Sequence, residues 1–172
     1  GYTAERYLER LRAARAGIPE LAVTTDLIVG FPGETEDDFA ATLEVVEEAG
    51  YDAAYTFVFS PRPGTEAAAW TDEFVPVEVT RERMTRLTEV VERSALARHQ
   101  ERVGRVEEVL VEGPSKKDPS LTTGRTRQNK LVHFAATGLG PGSFTKVRVE
   151  DAAPHYLRGS LATRPSLAVS PA

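Results

Sequence analysis

The stretch Thr25-Asp-Leu-Ile-Val-Gly-Phe-Pro-Gly-Glu-Thr-Glu-Asp-Asp-Phe39 decides the fold of the first half of this chain. Its apolar run, residues 27–29, predicts a short buried strand, and the glycines within residues 30–33 allow a turn after it. Thr35 and Asp38 have the spacing of a capping box, so a helix is predicted to begin near Thr35. A strand that runs through a glycine turn into a capped helix is a building unit of α/β folds, which bind ligands at such turns.

The chain up to Arg102 continues this alternation of helices and strands. Five elements are predicted: a helix after Thr3, a strand over residues 21–29, a helix from Thr35 to a C-cap at Gly50, a strand over residues 53–59, and a helix from near Thr80. This order is typical of βα units around a parallel sheet. Residues 1–102 are therefore predicted to form an α/β domain.

Two parallel strands are too few for an independent sheet, because their open edges leave backbone groups unpaired. We expect further strands upstream of this sequence. If they continue the same repeat, the sheet closes into a partial or full TIM-like barrel, with residues 1–102 as its C-terminal strands and helices. Ligand sites of such barrels lie at the C-terminal ends of the strands. The loops at residues 30–34 and 60–65 both follow strands and are expected to rim one mouth.

The alternation of side chains along a strand predicts which residues face the barrel lumen. One predicted lumen face carries Asp26, Ile28 and Gly30, and the other carries Thr56, Val58 and Ser60. Asp26 is either a hydrogen-bonding group in the lumen or a structural partner of Arg62. The aromatic residues of the second strand are predicted to pack against helices; they are Tyr55, Phe57 and Phe59.

The charge of the chain differs between its two halves. The whole sequence of 172 residues has a net charge of −5. Residues 1–102 carry 20 acidic and 11 basic side chains, whereas residues 103–162 carry 6 acidic and 9 basic ones. The second half is therefore net positive, the sign of charge that a nucleic-acid partner selects.

Residues 103–162 have the pattern of a small antiparallel barrel. Short alternating segments separated by glycine and proline turns are predicted as strands near residues 105–112, 121–127, 131–136, 144–150 and 157–161. Five strands in about 60 residues are typical of an OB-like barrel. Residues 163–172 are predicted to be a disordered tail.

A cluster of cations lies between the first and third of these strands. Its members are Lys116, Lys117, Arg125, Arg127 and Lys130, with Asp118 as the one acid. Two interpretations are possible: a patch that binds phosphates and so positions RNA, or a loop that is merely solvated. The density of cations favours the phosphate-binding patch. Phe134 either stacks on a base or fills the barrel. The histidines His99, His133 and His155 are far apart in the sequence and are assigned no chemistry.

Several classes of protein are excluded by composition. The chain has no cysteine, so it can form neither a disulfide framework nor a thiolate metal site. No apolar run reaches the roughly 20 residues of a membrane span, so a cytoplasmic protein without a membrane partner is expected. Because the sequence opens on Gly1 without an initiator or a signal peptide, we expect it to be part of a longer polypeptide.

Three segments resemble the radical-S-adenosylmethionine tRNA methylthiotransferases. They are Asp26-Leu-Ile-Val-Gly-Phe-Pro-Gly-Glu-Thr35, Phe59-Ser-Pro-Arg-Pro-Gly-Thr65, and Leu110-Val-Glu-Gly-Pro-Ser-Lys-Lys117 with Gly124-Arg-Thr-Arg-Gln-Asn-Lys-Leu-Val-His-Phe134. The last string looks most like the branch that acts at the 2-position of isopentenylated adenosine beside the anticodon. The resemblance implies that residues 1–102 close a radical-S-adenosylmethionine barrel and that residues 103–162 are a TRAM domain, an RNA-binding barrel.

The resemblance also implies cofactors and partners. The family uses S-adenosylmethionine and iron-sulfur clusters, whose cysteine ligands would lie upstream of this chain, so the chain alone is expected to be inactive. By resemblance, Ile28 and Gly30 pack on adenine, and the backbone at Val58 and Phe59 meets the adenine edge. The implied partners are a tRNA anticodon stem-loop and the missing N-terminal part of the same polypeptide. The broader motif has an acid where Gly33 stands, with Glu34 one step late.

Two other functions are compatible with these residues. One is a non-catalytic RNA-binding adapter whose first half is only a scaffold. The other is a methylthiotransferase that acts on threonylcarbamoyl adenosine or on a ribosomal protein.

Overall fold

The computed structural model describes residues 2–162. The chain divides into two compact units between Arg98 and His99, whereas the sequence placed the division after Arg102. The predicted disordered tail, residues 163–172, lies outside the described residues. None of the helices within residues 2–162 is long and apolar enough to cross a membrane.

The first unit has the predicted order of helices and strands. Its elements are α1 (Ala4–Gly17), β1 (Thr24–Val29), α2 (Glu36–Ala49), β2 (Ala53–Val58) and α3 (Val77–Gln100), with two short 3-10 turns at Glu66–Ala69 and Thr71–Glu73. Helix α3 begins three residues before the predicted start at Thr80.

Local signals in the sequence set the ends of the first two helices, as predicted. The Thr3 hydroxyl accepts the Arg6 N–H at the start of α1. Thr35 and Asp38 form a reciprocal capping box at the start of α2. Gly50 ends α2 in the left-handed conformation, with φ of 55°, which glycine adopts without steric cost.

Strands β1 and β2 form a parallel pair, and their register corrects the predicted faces. Ile28 pairs with Phe57 and Asp26 with Tyr55, so these four side chains share one face of the sheet. That face is open, because Ile28, Tyr55 and Phe57 are 56%, 68% and 51% exposed. The prediction that Tyr55 and Phe57 pack against helices is therefore wrong.

The other face of the sheet holds the core of the first unit. Val29 lies there, on the same face as Thr56 and Val58, and it is buried with side chains of α2 and α3. The buried members of this core include Phe39, Val46, Leu87 and Val90. The predicted lumen face of Thr56 and Val58 is thus the helix-covered face.

The second unit is a closed barrel of five strands, as predicted. They are β3 (Val106–Pro114), β4 (Thr122–Thr126), β5 (Leu131–Ala135), β6 (Phe144–Ala153) and β7 (Tyr156–Leu161). The strand order around the barrel is β3-β4-β5-β7-β6, closed by a parallel pairing of β5 with β7. The interior is filled by seven buried side chains: Val109, Val111, Val132, Phe134, Val147, Val149 and Leu157.

Two glycines permit this narrow barrel to close. A Cβ at Gly124 would lie 2.5 Å from the carbonyl oxygen of Leu110, and one at Gly159 would lie 2.1 Å from that of Arg148. Both distances are far below van der Waals contact. Only glycine therefore lets the strands approach each other at these two positions.

Candidate functional site

The glycine loop after β1 is built against α3. Gly30 has a φ of +75°, and a Cβ there would lie 2.3 Å from Cγ2 of Thr80. Gly33 has a φ of +81°, and its N–H donates to the carbonyl of Glu73 at 2.9 Å. Turn geometry and close packing are thus sufficient to account for glycine at position 30.

Glu34 holds this loop in place through both oxygens of its carboxylate. Oε2 accepts the backbone N–H of Gly30 at 3.1 Å. Oε1 forms an ion pair of 2.7 Å with Arg83 Nη1, and the two side chains are only 12% and 5% exposed. The same Nη1 donates to the Glu34 carbonyl at 3.1 Å. Glu34 is therefore a positioning residue for the loop.

Arg83 on α3 holds this loop, and the sequence did not reveal that role. It lies almost fifty positions after Glu34, within a helix rich in arginine and glutamate, where no sequence signal separates a buried arginine from a solvated one. Arg83 also pairs with Glu36 at 3.3 Å and lies over the Phe39 ring, 5.5 Å from its centroid. It thus ties α3 to the start of α2.

Four aromatic rings form a chain of edge-to-face contacts beside the loop. Phe31 contacts Phe59 at 5.3 Å and Trp70 at 6.1 Å between centroids, and Phe59 contacts Phe74 at 5.9 Å. Phe31, Trp70 and Phe74 remain exposed. The ring of Phe59 therefore packs against loop aromatics, and its prediction as helix-facing core is wrong.

The four predicted adenosyl contacts do not form one surface. Ile28 lies on the open face of the sheet, and Val58 lies on the opposite face. The Phe59 N–H donates to the Val29 carbonyl at 2.8 Å, so it is not available to a ligand. The Gly30 N–H is likewise used by Glu34. Of the four residues, Ile28 offers an exposed side chain on the open face.

The open face fits an apolar or aromatic ligand at Ile28 and its neighbours. Phe57 and Tyr55 flank this position on β2, and all three side chains are exposed. An adenine ring can pack on such a wall. Asp26 lies exposed on the same face, and within the described part of the chain it forms no ion pair with Arg62.

For iron-sulfur clusters the residues do not fit, because the sequence holds no cysteine.

The predicted basic patch divides into free and paired cations. Lys116 and Lys117 are exposed in the loop after β3 and, among residues 2–162, form no ion pair. Arg125 pairs with Glu112 at 3.3 Å, and Arg127 pairs with Glu108 at 3.0 Å. The net positive charge of this patch therefore resides in the two lysines.

Asp118, the acid beside the lysines, is hydrogen-bonded within its own loop. Asp118 Oδ1 accepts the Ser120 hydroxyl at 2.6 Å and the Ser120 N–H at 3.0 Å. These hydrogen bonds lower the pKa of the Asp118 carboxyl. Asp118 thus shapes the loop that carries Lys116 and Lys117.

Two residues predicted to contact RNA are buried. Phe134 is buried in the barrel core at 1% exposure, so of the two alternatives it fills the barrel and does not stack on a base. Lys130 is 5% exposed and does not contribute to the exposed patch. The burial of Phe134 follows from the inward register of its strand, which the sequence alone leaves undetermined.

Comparisons with known proteins match the second unit to a domain family and nearly the whole chain to a named group of proteins. Residues 100–162 match the model of the TRAM domain family. The tRNA-2-methylthio-N(6)-dimethylallyladenosine synthase of Acidothermus cellulolyticus is 51% identical over 159 residues, which is 91% of this chain and 32% of the relative. Proteins of the same name from Geobacillus thermodenitrificans and Alkalilimnicola ehrlichii are 47% and 44% identical, each over 94% of this chain. The chain spans about a third of the length of these relatives.

Proposed function

The chain is homologous over more than nine-tenths of its length to the tRNA-2-methylthio-N(6)-dimethylallyladenosine synthases, and from this premise we propose that it is part of a tRNA methylthiotransferase. The whole enzyme would add a methylthio group at the 2-position of an isopentenylated adenosine beside the anticodon. The identity of 51% over nearly the whole chain is the observation that carries the proposal.

The second unit is proposed to bind the tRNA anticodon stem-loop. The TRAM match over residues 100–162 and the two exposed lysines without acidic partners support this role. Lysine ammonium groups bind phosphates as point charges, which positions an RNA without reading its sequence. Lys116 and Lys117 are the proposed contacts.

The first unit is proposed to be the last part of a radical-S-adenosylmethionine barrel. Its parallel strands leave the face of Ile28 and Phe57 open, and the adenosyl group would pack there. One bound S-adenosylmethionine would supply a deoxyadenosyl radical after taking an electron from a reduced cluster, and a second would supply a methyl group by a polar transfer that needs no reductant. The residues of this chain contribute the wall, and Arg83 and Glu34 hold the loop at its edge.

The iron-sulfur ligands are proposed to lie in a part of the polypeptide outside the present sequence. A protein without cysteine provides no thiolate for such a cluster. We therefore expect the 172-residue chain alone to be inactive. Deoxyadenosine production by the purified chain, after incubation with iron, sulfide, reductant and S-adenosylmethionine, would contradict this part of the proposal.

The activity is tested with the complete polypeptide that contains this chain. We expect a mass gain of one methylthio group on tRNA that carries isopentenylated adenosine, and none on tRNA that carries threonylcarbamoyl adenosine or on ribosomal proteins. Product on either of the last two substrates alone would overturn the assignment. A complete polypeptide that binds tRNA without modifying it would favour the adapter.

The adenosyl wall is tested in the same polypeptide with Ile28→Glu. A carboxylate on the open face would weaken S-adenosylmethionine binding by removing apolar contact and adding a desolvation cost. The matched control is Val58→Glu, because Val58 is also exposed but lies on the other face. An equal rise in KM for both variants would refute the face assignment.

A further inference from the structure

A histidine to which the sequence assigned no chemistry lies at the centre of a compact group on the outer wall of the barrel. His133 on β5 pairs in register with Thr123 on β4 and with Arg158 on β7. The flanking residues Val132 and Phe134 point into the core, so the side chain of His133 points outward. Its Nδ1 is buried without a hydrogen-bond partner among the described residues.

Two further side chains complete this group. The Tyr156 ring meets the His133 ring edge to face, with 5.2 Å between centroids. The Arg158 guanidinium lies over the Tyr156 ring at 5.3 Å, and its Nη2 donates to the Tyr156 hydroxyl at 3.3 Å. Two aromatic rings and an arginine therefore form one continuous partly exposed surface.

The cations of this surface form no ion pairs within the described part of the chain. Arg158 and Lys117 both act on His133 through their charges and lower its pKa, after the larger effect of burial. Among residues 2–162, neither cation forms an ion pair. Asp151 pairs in register with Arg158, yet the structure shows no ion pair between them.

Two other arginines of the barrel differ from Arg158 because they are ion-paired. Arg125 and Arg127 are held by Glu112 and Glu108, so a phosphate that approaches them competes with a carboxylate. Among the described residues 2–162, Arg158 and Lys117 form no ion pair that a phosphate would have to displace. A phosphate that contacts Arg158 and Lys117 would therefore break no existing ion pair.

We propose that His133, Tyr156, Arg158 and Lys117, here called the His133 surface, bind one nucleotide of a single-stranded RNA segment. Arg158 and Lys117 contact its phosphate, and the rings of Tyr156 and His133 contact its base. The proposal rests on the RNA-binding function proposed above and assigns that function to named residues. Because unpaired bases expose their faces to aromatic side chains and paired bases do not, the surface selects single strands.

The test compares RNA binding by three variants of the complete polypeptide that contains this chain. Arg158→Gln is expected to weaken binding of a fluorescent single-stranded adenine-rich RNA about tenfold, and Tyr156→Leu to weaken it by a similar factor. Arg127→Gln is the matched control, because it removes one charge from an exposed arginine of the same barrel that is already ion-paired. It is expected to change the affinity less than about twofold.

Two further measurements make the test specific to this surface. Annealing the RNA to its complement is expected to reduce binding to wild type and to abolish the difference between wild type and Tyr156→Leu. Addition of the single strand is expected to shift the ring resonances of His133 and Tyr156 in NMR spectra. The same spectra show whether each variant retains the folded barrel.

The outcomes separate the two proposals. If wild type binds single-stranded RNA and folded Arg158→Gln binds equally well, the His133 surface is wrong and RNA binding by the barrel stands. If Arg158→Gln and Arg127→Gln lose RNA affinity equally, the RNA is bound by general positive charge, and the proposal of the His133 surface is also overturned. If wild type binds no RNA under low salt, both proposals fail.

Discussion

Arg83 Nη1 lies 2.7 Å from Glu34 Oε1, in an ion pair whose two side chains are almost completely removed from solvent. The pair connects α3, the last helix of the first unit, to the glycine loop, because Glu34 also accepts the Gly30 N–H. Removal of one partner of a buried pair leaves a charge without compensation, which costs more than loss of the attraction itself. The conformation of the loop therefore depends on Arg83.

Arg83→Met is expected to lower the stability of the first unit by about 3–5 kcal/mol. The measurement is urea unfolding followed by fluorescence of Trp70, the single tryptophan of the chain, which contacts Phe31 beside the loop. Arg93→Met is the control, because the Arg93–Glu47 pair is exposed on both sides and should contribute about 1 kcal/mol or less. Equal effects of the two substitutions would contradict the role of Arg83.

Gly30→Ala is expected to destabilise the first unit by about 2–4 kcal/mol, through the positive φ and the contact of the new Cβ with Thr80. Thr80→Ser removes the methyl group that the Cβ would meet and keeps the hydroxyl that donates to the Val77 carbonyl. The double variant Gly30→Ala with Thr80→Ser should therefore regain the stability lost to the steric contact, but not the stability lost to the positive φ.

The control for Gly30 is Gly17→Ala at the end of α1, where a Cβ would meet nothing within 4 Å. Alanine there should leave the stability unchanged or raise it by up to about 1 kcal/mol. If Thr80→Ser gave no recovery of Gly30→Ala, the loss would arise from the backbone alone and the packing argument would be wrong.

The parts of the fold that depend on neighbouring residues could be predicted from the sequence. The capping box of Thr35 and Asp38 and the C-cap at Gly50 involve residues a few positions apart, and the structure shows them as expected. The five strands of the second unit were predictable because their alternation is bounded by turn residues. In both cases the signal and the structure it produces are local.

The parts that depend on register between distant strands could not be predicted. Strand β2 has apolar side chains on both faces, so alternation alone did not show that Tyr55 and Phe57 lie beside Asp26 and Ile28. The neighbours of His133 were hidden for the same reason. Arg158 is distant in sequence and becomes adjacent only through the parallel pairing of β5 with β7.

Gly159→Ala is expected to disrupt the closure of the barrel. The new Cβ would lie 2.1 Å from the Arg148 carbonyl oxygen and 2.8 Å from Val147 Cγ1, so β6 and β7 would have to separate. We expect faster amide hydrogen exchange throughout β6 and β7 and a loss of stability of at least about 2 kcal/mol. Gly140→Ala is the control, since a Cβ there meets nothing within 4 Å. If the amides of β6 and β7 were equally protected from exchange in both variants, this account of the closure would be wrong.

The pKa of His133 should govern how the stability of the second unit depends on pH. Burial lowers this pKa below its ordinary value of about 6.5, and the charges of Arg158 and Lys117 lower it further. In the unfolded chain the imidazole binds its proton near pH 6.5, so the unfolded state holds more protons just below that pH. The stabilising contribution is therefore complete above about pH 6.5 and is lost as pH falls to the pKa of the folded state.

NMR titration of the His133 ring and thermal unfolding at several pH values test this dependence together. Arg158→Gln is expected to raise the pKa of His133, because it removes one of the two positive charges. His133→Gln should reduce the decrease in unfolding midpoint temperature that occurs below about pH 6.5. The control is His155→Gln at an exposed position, which should leave the decrease caused by His133 unchanged. A His133 pKa that stays the same in Arg158→Gln would show that the two side chains are not electrostatically coupled, and the His133 surface would lose one of its supporting contacts.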